Sequence, residues 1–336
     1  MYEYALDDDR LHWTGLVSLE RTGEGRWQPW RLPPNAGLDA LSPELASRAR
    51  MASGVCTHLA TDATSLELTI VSSADQDDPR PVDIVADGAV VASVLPDESG
   101  QVHADLPAGS KEIEIWWPQW GELSLGPIRT DTPVHATAWR PALRWVTYGS
   151  SITHCRGADS PTGTWPALVA RARNWELTSL GFGGQCHLDP VAIRTIRDRP
   201  ADLISLCLGI NIQGGGTFNA RTLGPQVAGA IERIREGHPD TPIAVITPIA
   251  SPDREQQPGG GGLTLAEVRQ IVGEAAANVI ERGDSGLHVV DGLQIIGTGD
   301  AHLMPDGLHP GPEGYRLMAE RIGPVLGEIA GRGARS

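Results

Sequence analysis

Only four cysteines occur in 336 residues, Cys56, Cys155, Cys186 and Cys207, and no two of them have Cys-x-x-Cys spacing. Neither a disulfide framework nor a zinc site is therefore expected, and Cys155 and Cys186 read as small buried hydrophobes. Positive charge is scarce as well: 27 Lys and Arg against 42 Asp and Glu leave a net charge of −15. No basic stripe offsets that deficit, which argues against a phosphate-backbone footprint and against nucleic acid as a partner. Long apolar runs are also missing, and none approaches the roughly 18 residues of a membrane span. The opening Met1-Tyr2-Glu3-Tyr4-Ala5-Leu6-Asp7-Asp8-Asp9 has neither the basic nor the apolar region of a secretion signal. A cytoplasmic protein with free thiols and no membrane partner is the expectation.

What is present is ordinary globular material, 40% hydrophobic and 21% charged, in a chain too long for one ordinary core. Two patterns divide it. Residues 1–135 read as all-β, with alternating runs at Ser65–Val71, Val82–Ala86, Val90–Leu95 and Lys111–Trp116. Asp87-Gly88 between two such runs is a hairpin signal, and only Leu38 to about Arg50 hints at helix. This half is expected to be a β-sandwich of jelly-roll type. Residues 136–141 read as a linker. From residue 142 to 336 strand and helix alternate: strands at Leu143–Tyr148, Trp175–Leu180, Leu203–Leu208, Ile243–Thr247 and Leu287–Asp291, helices at Trp165–Arg173, Pro190–Asp198, Leu223–Glu236, Leu265–Arg282 and Gly311–Ile329. Repeats of this kind predict a five-stranded parallel sheet covered on both faces, with chemistry on the loops after the strands.

Those loops carry Gly149-Ser150-Ser151-Ile152-Thr153, Gly181-Phe182-Gly183-Gly184-Gln185, Gly209-Ile210-Asn211 and Asp306-Gly307-Leu308-His309-Pro310. A hydroxyl, a glycine, a side-chain amide and an Asp–His pair on one edge are the components of acyl transfer. Taken singly, Ser151 would be a helix cap, Gly209 and Asn211 a turn, and His309 a surface residue. It is their convergence that points to catalysis. A dinucleotide turn at Gly181-x-Gly183 fails because Cys186 replaces the third glycine. A lipase-type Gly-x-Ser-x-Gly elbow fails because Thr153 replaces the last one.

In this order the four blocks resemble the SGNH (GDSL) hydrolase superfamily over residues 143–330, in a flavodoxin-like three-layer domain. The nucleophile block departs from Gly-Asp-Ser-Leu, with Ser150 in the Asp position and Ile152 in the last. The resemblance implies Ser151 as nucleophile, with Ser150 the competing assignment, and Asp306 and His309 as its partners. It implies an oxyanion hole from the Ser151 and Gly184 backbone and the Asn211 amide, with Gly183 an alternative register for Gly184. A Cβ at position 184 is expected to crowd the oxyanion. Members with an N-terminal β-sandwich include esterases acting on decorated sugars and acyltransferases of natural-product assembly.

The resemblance implies a serine esterase acting on a small-molecule ester without a cofactor. The alternative is an acyltransferase using the same residues on a sugar or natural-product alcohol. A third reading is a non-catalytic sugar-binding protein. A metal site at His302, Asp306 and His309 fits no familiar ligand spacing. Ten tryptophans stand against two phenylalanines and four tyrosines. Trp116 is expected on the inward face of its strand. Trp117 and Trp120, beyond the strand end, are candidate stacking surfaces for substrate, with core or interface packing as the alternative. Ser251–Gly262, with its run of glycines, reads as a surface loop near the site and a candidate lid.

Overall fold

Period two in Lys111–Trp116 puts Ile113 and Ile115 on one face of the strand and Glu112, Glu114 and Trp116 on the other. The computed structural model, which describes residues 1–73 and 78–333, shows where each face goes. Two antiparallel sheets form the N-terminal region. One is built around Ser65–Ser72, and the other runs from Val134–His135 through Cys56–Thr61, Lys111–Trp116 and Val82–Ala86 to Ala89–Val94. Between them lies a core that includes Leu59, Leu66, Leu68, Ile84, Ile113, Ile115 and Trp117. The expected hairpin is present, and positive φ at both Asp87 (47°) and Gly88 (83°) suits the type I′ twist.

Trp116 departs from expectation. It is buried, but parity places it on the opposite face of its sheet, where it joins Cys56 and Val85 against Trp145 and Trp165 of the α/β region. Trp117, one residue on, takes the sandwich-core position instead.

The α/β region is a five-stranded parallel sheet. Its strands, Leu143–Gly149, Trp175–Gly181, Leu203–Cys207, Ile243–Ile246 and Leu287–Val290, are arranged in the order second, first, third, fourth, fifth. That is the flavodoxin-like order, and it places the loops after the first and third strands beside the topological switch. Burial on both faces explains the near-continuous apolar runs. Helices Pro190–Asp198, Leu223–Arg235 and Leu265–Glu281 pack on one face, and Trp165–Arg173 and Pro312–Gly333 on the other. Among the described residues, no helix is long and apolar enough to cross a membrane.

The N-terminal region also reaches into the α/β core. Trp30, Leu32, Leu45, Ala46 and Ala49 pack with Tyr148, Leu180 and Phe182. Between them sits Arg31, fully buried and without a carboxylate. Its Nε donates to the Met51 carbonyl (2.5 Å), Nη1 to the Ser179 and Gly181 carbonyls (2.9 and 2.8 Å), and Nη2 to the Arg48 carbonyl (2.6 Å). Burial, and then the neighbouring Arg48 cation, pull its pKa down to about 9. The guanidinium face also lies 4.9 Å from the Phe182 ring centroid. Replacing Arg31 by Leu takes the guanidinium donor away from four carbonyls, of which, among the described residues, only that of Arg48 keeps a backbone donor. Arg31→Leu is therefore expected to lower the unfolding free energy by about 3 kcal/mol or more. Arg10→Ala, which removes an exposed pair with Asp8, is expected to cause no measurable shift. Urea unfolding of the two variants against the parent checks both statements.

Candidate active site

The first parallel strand ends at Gly149 and runs directly into the short helix Ser151–His154. The two adjacent serines divide two tasks. Ser150 is 3% exposed, and its hydroxyl caps the helix by accepting the Ile152 N–H at 3.2 Å. Ser151 stands at the helix's first position, partly exposed, with Oγ 2.8 Å from His309 Nε2. The geometry singles out Ser151 as the serine that meets an imidazole.

His309 is held from behind. Its Nδ1 lies 2.6 Å from Asp306 Oδ2, while Asp306 Oδ1 accepts the Leu308 and His309 N–H groups at 3.0 and 2.7 Å. One tight turn thus supplies both groups and fixes their mutual orientation. Burial draws the Asp306 pKa upward, but the hydrogen bonds from the His309 ring and backbone and from Leu308 outweigh it and bring the value down to about 2. Asp306 is therefore anionic at neutral pH, and an anion at Nδ1 directs the ring's lone pair at Nε2 toward Ser151.

Gly184 and Asn211 line the same cleft as Ser151. Gly183, the other register, donates its N–H to His154 Nδ1 at 3.1 Å, whereas the Gly184 N–H has no partner among the described residues. Among the described residues, no atom beyond its chain neighbours lies within 4 Å of where a Cβ at position 184 would sit, so the space beside it is open to the cleft. Glycine suits the position because its φ of +75° lies in the left-handed region. Asn211 Oδ1 accepts the Cys186 N–H at 3.0 Å, so its NH2 is turned the other way. Gly209 sets that helix start: its φ is +117°, and a Cβ would lie 2.6 Å from Pro248.

Ser151, Gly184, Asn211, Asp306 and His309 line one open cleft of about 1060 Å³. Trp120 lines it too, but Trp117 does not. Its ring is fully buried, stacks on Trp13 at 5.6 Å and donates Nε1–H to Thr57, so it is core and not a substrate platform. Burial pushes the Cys155 and Cys186 thiols up, leaving them as inert packing. Among the described residues, no three His, Cys, Asp or Glu side chains converge as metal ligands. The Ser251–Gly262 loop is tied down, with Gln213 Nε2 donating to the Gln257 carbonyl at 3.0 Å. Sequence reading missed the arginines of the cleft, Arg48, Arg80, Arg156 and Arg254. They come from separate segments, and no local pattern links them.

Behind the glycine loop, His154 is fully buried between the two regions. Its Nδ1 accepts from Gly183, so Nε2 carries the proton and donates to the Gln119 carbonyl at 2.8 Å. His187 braces the same loop through the Gly184 carbonyl at 3.0 Å.

A 2-1-3-4-5 sheet with these four loops at its carboxyl edge defines the class. The chain belongs to the GDSL-like lipase/acylhydrolase family, whose profile matches residues 147–317. Among solved structures it is similar to the salicylyl-acyltransferase SsfX3 from a tetracycline biosynthetic pathway. The two are 31% identical with a TM-score of 0.85, over 96% of this chain and 95% of that one. A putative GDSL-like lipase from Bacteroides ovatus is 19% identical with a TM-score of 0.77, covering 95% and 96% of the two chains. A family two carbohydrate esterase from Cellvibrio japonicus is 15% identical with a TM-score of 0.68, covering 98% of each. At these lower identities the likeness is one of fold. No curated protein matches the chain.

Burial first, and then the Arg31 cation, hold the His154 pKa well below its ordinary value. The folded state therefore refuses a proton that the unfolded chain accepts below about pH 6.5. Stability from the neutral ring is whole above that pH and declines below it, by up to about 1.4 kcal/mol per pH unit. Imidazole nitrogen shifts followed from about pH 8 to 5 are expected to leave His154 unmoved. A His154 midpoint inside that window would contradict the buried, neutral assignment.

Proposed function

We infer that this chain is a serine acyl-transfer enzyme that opens a carboxylic ester through an acyl-enzyme on Ser151 and passes the acyl group to water. The observation that carries this reading is the continuous relay from Ser151 Oγ to His309 Nε2 (2.8 Å) and from His309 Nδ1 to Asp306 Oδ2 (2.6 Å). In this mechanism His309 takes the hydroxyl proton as Oγ attacks the carbonyl carbon, and Asp306 stabilises the imidazolium without taking the proton. The oxyanion is met by the Ser151 N–H, which as the first of the helix has no intrahelical acceptor, by the Gly184 N–H and by the Asn211 amide. His309 then gives its proton to the leaving alcohol. Water then attacks the acyl carbonyl as it gives a proton to His309. His309 returns that proton to Ser151 Oγ as the Oγ–acyl bond breaks and the acid leaves. The open cleft and the part-exposed His309 ring (37% of its side chain accessible) favour water as the acceptor.

A second reading, transfer to an acceptor alcohol, is favoured by the acyltransferase relative that is 31% identical over nearly the whole chain. The two readings share every residue and part only at the second step.

Ser151→Ala is expected to abolish turnover of short p-nitrophenyl esters. Asn211→Ala is expected to cut kcat by about a hundred-fold, because one oxyanion donor is worth about 3 kcal/mol. Undiminished activity in Ser151→Ala would defeat the assignment. Product analysis with and without alcohol acceptors separates the readings. Free acid throughout is the expected result for the hydrolase, and Ser151-dependent acylation of the alcohol is the result that replaces it with a transferase.

A further inference from the structure

The cleft is basic in an acidic chain. Four arginines line it against two carboxylates, Asp78 and Asp306, while the whole sequence carries −15. Asp306 is held by His309. Asp78 pairs with Arg80 and accepts Arg156 Nε at 2.6 Å. Arg80 is further tied to the carbonyls of Arg156 and Pro79, at 3.0 and 3.2 Å. Arg48 has no carboxylate partner among the described residues. Its hydrogen bonds go to the Gly183 carbonyl (3.2 Å) and the Ser47 hydroxyl (3.4 Å).

Arg48 and Arg156 meet at one ring. Their guanidinium carbons lie 4.8 and 4.5 Å from the Trp120 ring centroid. Each retains N–H groups with no partner among the described residues, Nη2 of Arg48 and both Nη of Arg156. Two cations on one indole repel each other. After burial, the Arg156 charge is the next influence lowering the Arg48 pKa. An anion that reaches the open Nη groups offsets that repulsion, and guanidinium forks match the geometry of carboxylate and phosphate oxygens. The three residues come from the N-terminal helix Pro43–Ala49, the loop after Lys111–Trp116, and the loop after Ser151–His154. The wall is therefore built by both regions of the chain.

We propose that Arg48, Trp120 and Arg156 form a subsite for an anionic group, a carboxylate or a phosphate ester, on the substrate that Ser151 attacks. This rests on the acyl-transfer reading for the word substrate, and it names the class of ester that reading leaves open. The indole holds the two guanidiniums in place, and their open N–H groups supply selectivity against neutral esters.

Three aryl acetates that differ only at the para position, carboxamide, carboxylate or phosphate, test it. The kcat/KM of an anionic ester is expected to exceed that of the carboxamide by about tenfold, mainly through KM. That ratio should fall to near parity in Arg156→Gln and in Arg48→Gln, and the larger of the two anionic ratios identifies the group. A binding arm stands apart from catalysis: calorimetric titration of Ser151→Ala with benzoate and with phenyl phosphate at fixed ionic strength. Binding that weakens about tenfold when Arg156→Gln is added supports the subsite even if no ester is turned over. Equal binding in both proteins, no binding of either anion, or an anionic-to-neutral ratio the variants leave unchanged overturns it.

Discussion

A neutral imidazole and a buried guanidinium, both satisfied by backbone groups alone, hold the glycine loop of the cleft in place. His154 bridges the Gly183 N–H to the Gln119 carbonyl, and Arg31 bridges the Met51 and Arg48 carbonyls to those of Ser179 and Gly181. Both side chains are fully buried, so any shift between the N-terminal region and the second parallel strand would leave polar groups unpaired in a dry interior. The two regions thus form one rigid frame around the Gly183-Gly184 turn. Donors aimed at a developing charge work only if they need no reorganisation when the charge appears. On the proposed mechanism, the β-sandwich contributes to catalysis by holding Gly184 still.

The sheet, its helices and the four loops were legible in the sequence because period and the open-sheet rule act locally. A run buried on both faces is continuous, a helix repeats every three to four residues, and the loops after parallel strands share one edge. The resemblance of those loops to the SGNH family is what named Ser151, Asp306, His309, Gly184 and Asn211, and the structure brings them to one cleft. What failed did so for physical reasons. Trp116 and Trp117 were exchanged because parity beyond a strand end was not carried through, although Ile113 and Ile115 already fixed it. The positive φ of Gly184 is a backbone requirement that no local sequence pattern announces. His154 carries no sequence signal of its own, and only the tertiary structure shows both of its nitrogens occupied.

Composition does not show how charge is distributed. The chain carries −15, yet the cleft that holds Ser151 gathers Arg48, Arg80, Arg156 and Arg254. Net charge governs solubility and long-range encounter, whereas recognition follows the local field inside a low-dielectric wall. Arg48 comes from the N-terminal helix and Arg156 from the loop after Ser151, so their meeting at Trp120 depends on the same interface that His154 and Arg31 secure.

Labelling with a fluorophosphonate, read by intact mass and peptide mapping, tests the central claim most directly, because the reagent reacts only with a serine whose hydroxyl is activated. The account predicts one adduct per chain, on Ser151, lost in His309→Ala. An adduct on Ser150, or no adduct on a folded protein, would contradict it.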